Sequence, residues 1–120
     1  MFTVEWSEAS GWEKPKISQF KNLEIHPAAK CLHYSIEIFE GMKAYQGVDG
    51  SLRLFRPDLN MNRLHKSTLR SALPDFDRNE LLKCIQKLVS IEQDWIPKST
   101  AASLYIRPTF IGTEVHNIYS

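Results

Sequence analysis

The stretch SLYIRPTFIG, Ser103 to Gly112, sets a guanidinium in the middle of an apolar run. Leu104, Ile106, Phe110 and Ile111 suit a buried strand, yet Arg107 comes two residues after Tyr105 and directly before Pro108. An arginine keeps its charge inside any protein, so it needs a partner. Side chains alternate across a strand, which puts Tyr105, Arg107 and Thr109 on one side and Leu104, Ile106 and Pro108 on the other. Same-side neighbours stand about 6.5 Å apart. A phenol, a guanidinium and a hydroxyl so spaced can converge on one carboxylate, the guanidinium as a planar two-pronged donor. Pro108 removes a ladder donor and suits a sheet edge or strand end, where clefts form. The same pattern also permits Arg107 to pair with an acid inside the fold.

Other residues carry weaker signals. Arg63, Lys66 and Arg70 form an i, i+3, i+7 basic stripe, either a solvated helix face or a phosphate contact. Tyr34 and Phe39 read from periodicity as core aromatics, and nothing in their spacing separates core from pocket wall. Glu37 and Glu40 do not read as an acid–base pair, since no nucleophile or base stands near them in sequence. Lys43 lies beside Gly41; a buried lysine can form a Schiff base, but composition gives no reason to choose it. Cys31 and Cys84 belong to no CxxC, and Cys84 suits a small buried hydrophobe. The four histidines show no HxH or HxxxH spacing, so no metal site is expected.

The elements that must position these groups follow from periodicity. FTVEW alternates as a strand, and KISQFKNLEIHP alternates loosely to Pro27 as a second. Tyr34 to Phe39 reads as a short helical turn stopped by Gly41. Met42 to Phe55 reads as a hairpin turned by Asp49-Gly50. Asp58 is a plausible N-cap for a helix with a Met61, Leu64, Thr68, Ala72 stripe, ended by Pro74. Asp77, with Glu80 three residues on, opens a second helix that buries Leu81, Leu82, Ile85, Leu88 and Val89. The opening stretch is the last strand, and TEVHNIYS reads as a frayed end. Strands, a hairpin, two consecutive helices and a strand give an α+β class: a mainly antiparallel sheet with two consecutive helices on one face. No GxGxxG or P-loop is present.

The 120 residues predict one domain, with 42% hydrophobic and 24% charged residues. Three Trp, four Tyr and six Phe argue for a packed core. A net charge of +1 gives no basic footprint for nucleic acid. No apolar stretch reaches the roughly 18 residues of a membrane span, and MFTVEWSEAS has no signal-peptide core. The expected location is cytoplasmic, with the mitochondrial matrix as the alternative.

LHYSIEIFEGMKAY, RLFRPDLNMNRL, LPDFDRNELLKCI and SLYIRPTFIGTE together resemble the N-terminal small domain of branched-chain amino acid aminotransferases. These are pyridoxal 5'-phosphate enzymes of the aminotransferase class IV fold, shared with D-amino acid aminotransferase. IFEG and SLYIRP favour the branched-chain group over D-amino acid aminotransferase or aminodeoxychorismate lyase. The resemblance runs over 1–114 and leaves 115–120 as a divergent or frayed tail. It implies that Arg63 contacts the cofactor phosphate and that Tyr105 helps hold the substrate α-carboxylate. Arg107 would receive the distal carboxylate of glutamate or 2-oxoglutarate, and Phe39 would line the apolar side-chain pocket. Tyr34 would reach into the active site of the neighbouring subunit of a homodimer. The resemblance further implies amino-group transfer between Leu, Ile or Val and 2-oxoglutarate by the parent enzyme. Its Schiff-base lysine belongs to a larger second domain, so no catalytic residue is expected in this chain, which alone would be inactive. The alternative is a truncated, non-catalytic isoform that partners full-length subunits.

Overall fold

The computed structural model describes residues 1–115. Two short antiparallel ladders open the chain: β1 (Phe2–Thr3) pairs with β4 (Lys16–Ile17), and β2 (Trp6–Ser7) with β3 (Gly11–Trp12). Then follow α1 (Lys30–Tyr34), β5 (Glu37–Phe39), β6 (Met42–Gln46), β7 (Leu52–Leu54), α2 (Pro57–Arg70), α3 (Arg78–Ile91), β8 (Leu104–Ile106) and β9 (Thr109–Ile111). Strands β7, β6 and β8 form one antiparallel sheet in that order, and β5 and β9 another. Ile38, Met42 and Ala44 from the strands meet Met61 and Leu64 of α2 and Ile85 and Val89 of α3 in one buried cluster. Both helices thus serve a single core, as the α+β expectation requires.

The hairpin and both long helices are present, but α2 ends at Arg70, and Ala72, the last residue of the expected stripe, lies beyond it at φ 52°. Gly50 turns the hairpin at a φ of 77°, a value that suits glycine. Asp77 caps α3 through hydrogen bonds from the amides of Asn79 and Glu80. The Glu80 side chain turns to Lys83 instead of closing a capping box. Helix α2 differs at its start: Arg56 is the N-cap, at φ 46°, and Pro57 is the first helical residue. Proline's fixed φ suits that place, which moves Asp58 into the first turn, where its charge favours the helix dipole.

Four expectations are corrected. FTVEW is not one strand: Phe2–Thr3 is β1 and Trp6 begins β2, with no strand at Val4 and Glu5 between them. The second strand is only Lys16–Ile17, and 18–26 carries no regular structure, with Phe20 91% exposed. Helix α1 ends at Tyr34 with Ser35 left-handed, and Glu37–Phe39 is strand, not helical turn. The last strand is interrupted: β8 pairs with β6, β9 with β5, and Arg107-Pro108 is the crossing. Met42 faces Ile106 and Phe39 faces Thr109, so the register is the same on both sides of the break. Glu40-Gly41 and Arg107-Pro108 thus form a paired kink, where the Glu40 amide donates to the Pro108 carbonyl at 3.0 Å.

The end expected to fray is tied down through Val115. Cys31 and Lys30 amides donate to the Gly112 and Glu114 carbonyls, and Val115 bridges Ala29. The tail beyond, 116–120, lies outside the described residues.

Met61 is 2% exposed at the helix–sheet contact. Met61→Ala should lower unfolding stability by about 2–5 kcal/mol, read by denaturant titration.

Candidate functional site

The paired kink gathers the site. Arg107 Nη2 donates to the Tyr105 hydroxyl at 2.9 Å. Its guanidinium carbon lies 4.5 Å from the Phe39 ring centroid and 5.2 Å from that of Tyr105. Both rings are more than half exposed, so the charge rests on an aromatic surface and not in the core. Among the described residues Arg107 is bound to no carboxylate, which disposes of the internal-acid alternative there. The Tyr105 oxygen accepts from Arg107, leaving its own proton to donate outward.

Gly41 serves this arrangement, not helix termination. A Cβ on Gly41 would lie 2.1 Å from the Tyr105 hydroxyl oxygen. The phenol is seated against bare backbone, which only glycine allows.

One residue earlier, Glu40 points the other way and is 3% exposed. Its carboxylate accepts both Nε and Nη2 of Arg63, the latter at 2.7 Å. Asn60 Nδ2 and the Gly41 amide donate to the same carboxylate at 2.8 Å each. Asn60 also reaches the Gly41 carbonyl at 3.0 Å. Burial pushes the Glu40 carboxyl up, but hydrogen bonds from Arg63, Asn60 and the Gly41 amide, with the Arg63 charge, outweigh it and leave it below the ordinary glutamate value. Sequence reasoning missed Glu40. The available signal is its place in an inward i, i+2 series, Ile38, Glu40, Met42, Ala44, all buried. Treating Tyr34–Phe39 as helical hid that series.

Arg63 therefore stands on α2 with one edge fixed by Glu40 and its side chain 67% exposed. Phe39, Tyr105 and Arg107 come together, and Arg63 joins them through the adjacent residues Glu40 and Gly41. Tyr34 sits apart at the end of α1, 61% exposed, its ring 6.4 Å from that of His33. An open concavity of about 380 Å³ lies along α2, lined by Ile38, Lys66, Ser67, Arg70 and Ser71; Tyr105 and Arg107 are not part of it. Among the described residues no three His, Cys, Asp or Glu gather as metal ligands, and no helix is long and apolar enough to cross a membrane.

The arrangement presents two cationic groups with different chemistry. Arg107, on an aromatic face beside a phenol, suits a carboxylate attached to an apolar body. Arg63, on a helix beside a backbone turn, suits a compact oxyanion.

No protein-family profile matches the chain. It is 67% identical over 114 residues to the mouse branched-chain-amino-acid aminotransferase, cytosolic, covering 95% of this chain and 30% of that protein. To the bovine branched-chain-amino-acid aminotransferase, mitochondrial, it is 54% identical over 114 residues, 29% of that protein. The crystal structure of the Escherichia coli branched-chain amino acid aminotransferase matches 78% of this chain with a TM-score of 0.63 at 26% identity, over 28% of its own length. The chain thus spans less than a third of each of these relatives.

Two predictions follow from the geometry. Gly41→Ala should displace the Tyr105 hydroxyl and break its bond to Arg107, visible in a crystal structure of the variant as a rotated Tyr105 ring. The Glu40 carboxyl is depressed on folding, so its contribution is full above the ordinary glutamate range and is lost as pH falls through the folded value. The stability difference between the wild-type chain and Glu40→Gln should therefore hold steady near neutral pH and shrink on acidification, measured by urea unfolding at a series of pH values.

Proposed function

We propose, on the premise that this chain is homologous to branched-chain-amino-acid aminotransferases along 114 of its residues, that it is the small-domain part of such an enzyme. The parent would move the amino group between Leu, Ile or Val and 2-oxoglutarate, with pyridoxal 5'-phosphate. The observation carrying this reading is a phenol and a guanidinium joined at 2.9 Å on an exposed aromatic face, the guanidinium bound to no carboxylate among the described residues.

The magnitudes explain why one site serves two unlike substrates. An aliphatic side chain gains about 1.5–3 kcal/mol from full burial on apolar walls such as Phe39. A glutamate carboxylate placed there needs a charged partner. Resting over Phe39 and Tyr105, Arg107 gains only about 0.5–1 kcal/mol from the exposed rings. Hydrogen bonds to a carboxylate are worth about 1.5–3 kcal/mol, so a dicarboxylate draws the guanidinium off the rings. With an aliphatic substrate it stays on them, and no charge is buried unpaired. The Tyr105 hydroxyl donates a hydrogen bond to the α-carboxylate.

Bound pyridoxal phosphate supplies the electron sink for amino transfer. The donor set fits its phosphate: Arg63 is two-thirds exposed and already oriented. Exposed Leu32 and Tyr34 on α1 fit contact with a second subunit, to whose site Tyr34 would contribute. These 120 residues bind and orient; the lysine that carries covalent chemistry comes from the rest of the parent, and the chain alone is inactive. The cytosolic and mitochondrial names of the relatives leave both compartments open to the parent.

The test replaces the matching 114-residue segment of the mouse relative with this chain. The chimaera should transfer amino groups from leucine to 2-oxoglutarate. Arg107→Met in it should raise KM for 2-oxoglutarate by at least about tenfold and change that for leucine less than about threefold. Equal losses for both substrates would remove the proposed role of Arg107.

A further inference from the structure

We propose that Glu40 and Asn60 are positioning residues for Arg63, clamping one edge of its guanidinium so that the other meets an oxyanion in a single orientation. On the function proposed above that oxyanion is the cofactor phosphate, and the inference rests on that reading for the identity of the anion.

A carboxylate beside an anion site is paradoxical. Charge alone would have Glu40 repel a phosphate and cancel the attraction of Arg63. Yet the carboxylate is buried at 3% exposure with both oxygens engaged. Nε and Nη2 are the groups it holds, the side face of the planar fork. Asn60, on the helical turn before Arg63, adds a bond to the same carboxylate and one to the Gly41 carbonyl. Helix α2, the kink and the guanidinium are thereby fixed to one another.

An unclamped arginine at 67% exposure samples many rotamers and loses them on binding. A clamped one has lost them on folding. The pair is nearly neutral, so it draws an anion by directed N–H groups and not by net charge.

Orientation and charge therefore predict opposite signs for one substitution. Glu40→Gln removes a negative charge beside the anion, and electrostatics alone would tighten binding. The clamp account has it weaken binding.

The experiment titrates inorganic phosphate into the ¹⁵N-labelled full chain at neutral pH, following the Arg63 Nε–H signal at two salt concentrations. The amide spectrum reports whether each variant is folded. Wild type should show a phosphate response at Arg63 with shallow salt dependence. Glu40→Gln should bind at least about tenfold more weakly, with a steeper salt dependence because the site is now cationic. The steeper slope follows from the lost charge whatever Glu40 does, so the sign of the affinity change decides between clamp and simple repulsion. Asn60→Ala keeps the charge pair and should weaken binding several-fold; it decides the matter if Glu40→Gln does not fold. Equal or tighter binding in the folded variants overturns the clamp and leaves Arg63 as a phosphate ligand. No response at Arg63 in wild type removes the phosphate assignment and the clamp with it.

Discussion

A carboxylate almost wholly withdrawn from water governs this structure. A buried charge is tolerated only when paired and hydrogen-bonded on its remaining lone pairs. Glu40 meets that demand with Arg63 and Asn60 from α2 and the amide of Gly41. The demand fixes where α2 lies against the crossing from β5 to β6. It also fixes the backbone of Gly41, whose missing side chain admits the Tyr105 hydroxyl, which in turn accepts from Arg107. Two cationic side chains, Arg63 and Arg107, are thus positioned through two consecutive residues.

The paired kink makes this possible. Here the ladder opens on both strands at the same place without a change of register. Pro108 contributes no donor, and Glu40 turns inward while Phe39 stays outward with Tyr105 and Arg107. The radius of gyration, 16.2 Å, exceeds the roughly 14 Å of a compact domain of this length. That extended form agrees with the exposed aromatics Phe20, Phe39 and Phe55.

Much of this was legible from residue order. Helices α2 and α3 follow from their apolar stripes, and the hairpin from Asp49-Gly50 between alternating runs. Alternation put Tyr105 and Arg107 on one side, and the structure joins them. The misses around Glu40 share one cause. Periodicity over five or six residues does not separate a helical turn from a strand, so Tyr34 and Ile38 at i, i+4 and Ile36 and Phe39 at i, i+3 read as a helical turn. That assignment hid the inward series containing Glu40, gave Gly41 the wrong task and left Arg63 with no partner. Side-chain pairing across twenty residues of sequence leaves no local mark, and neither does the interruption of a strand whose alternation continues.

The most direct test of the Glu40–Arg63 bond as organiser is a double-mutant cycle on the folded chain, with Glu40→Gln, Arg63→Met and both, read by urea unfolding at neutral pH. The account has Arg63→Met costing the most, since it strands the buried carboxylate, and Glu40→Gln added to it restoring stability. Strictly additive losses would mean that the two side chains stabilise the fold independently, and the central role given to their pairing would be wrong.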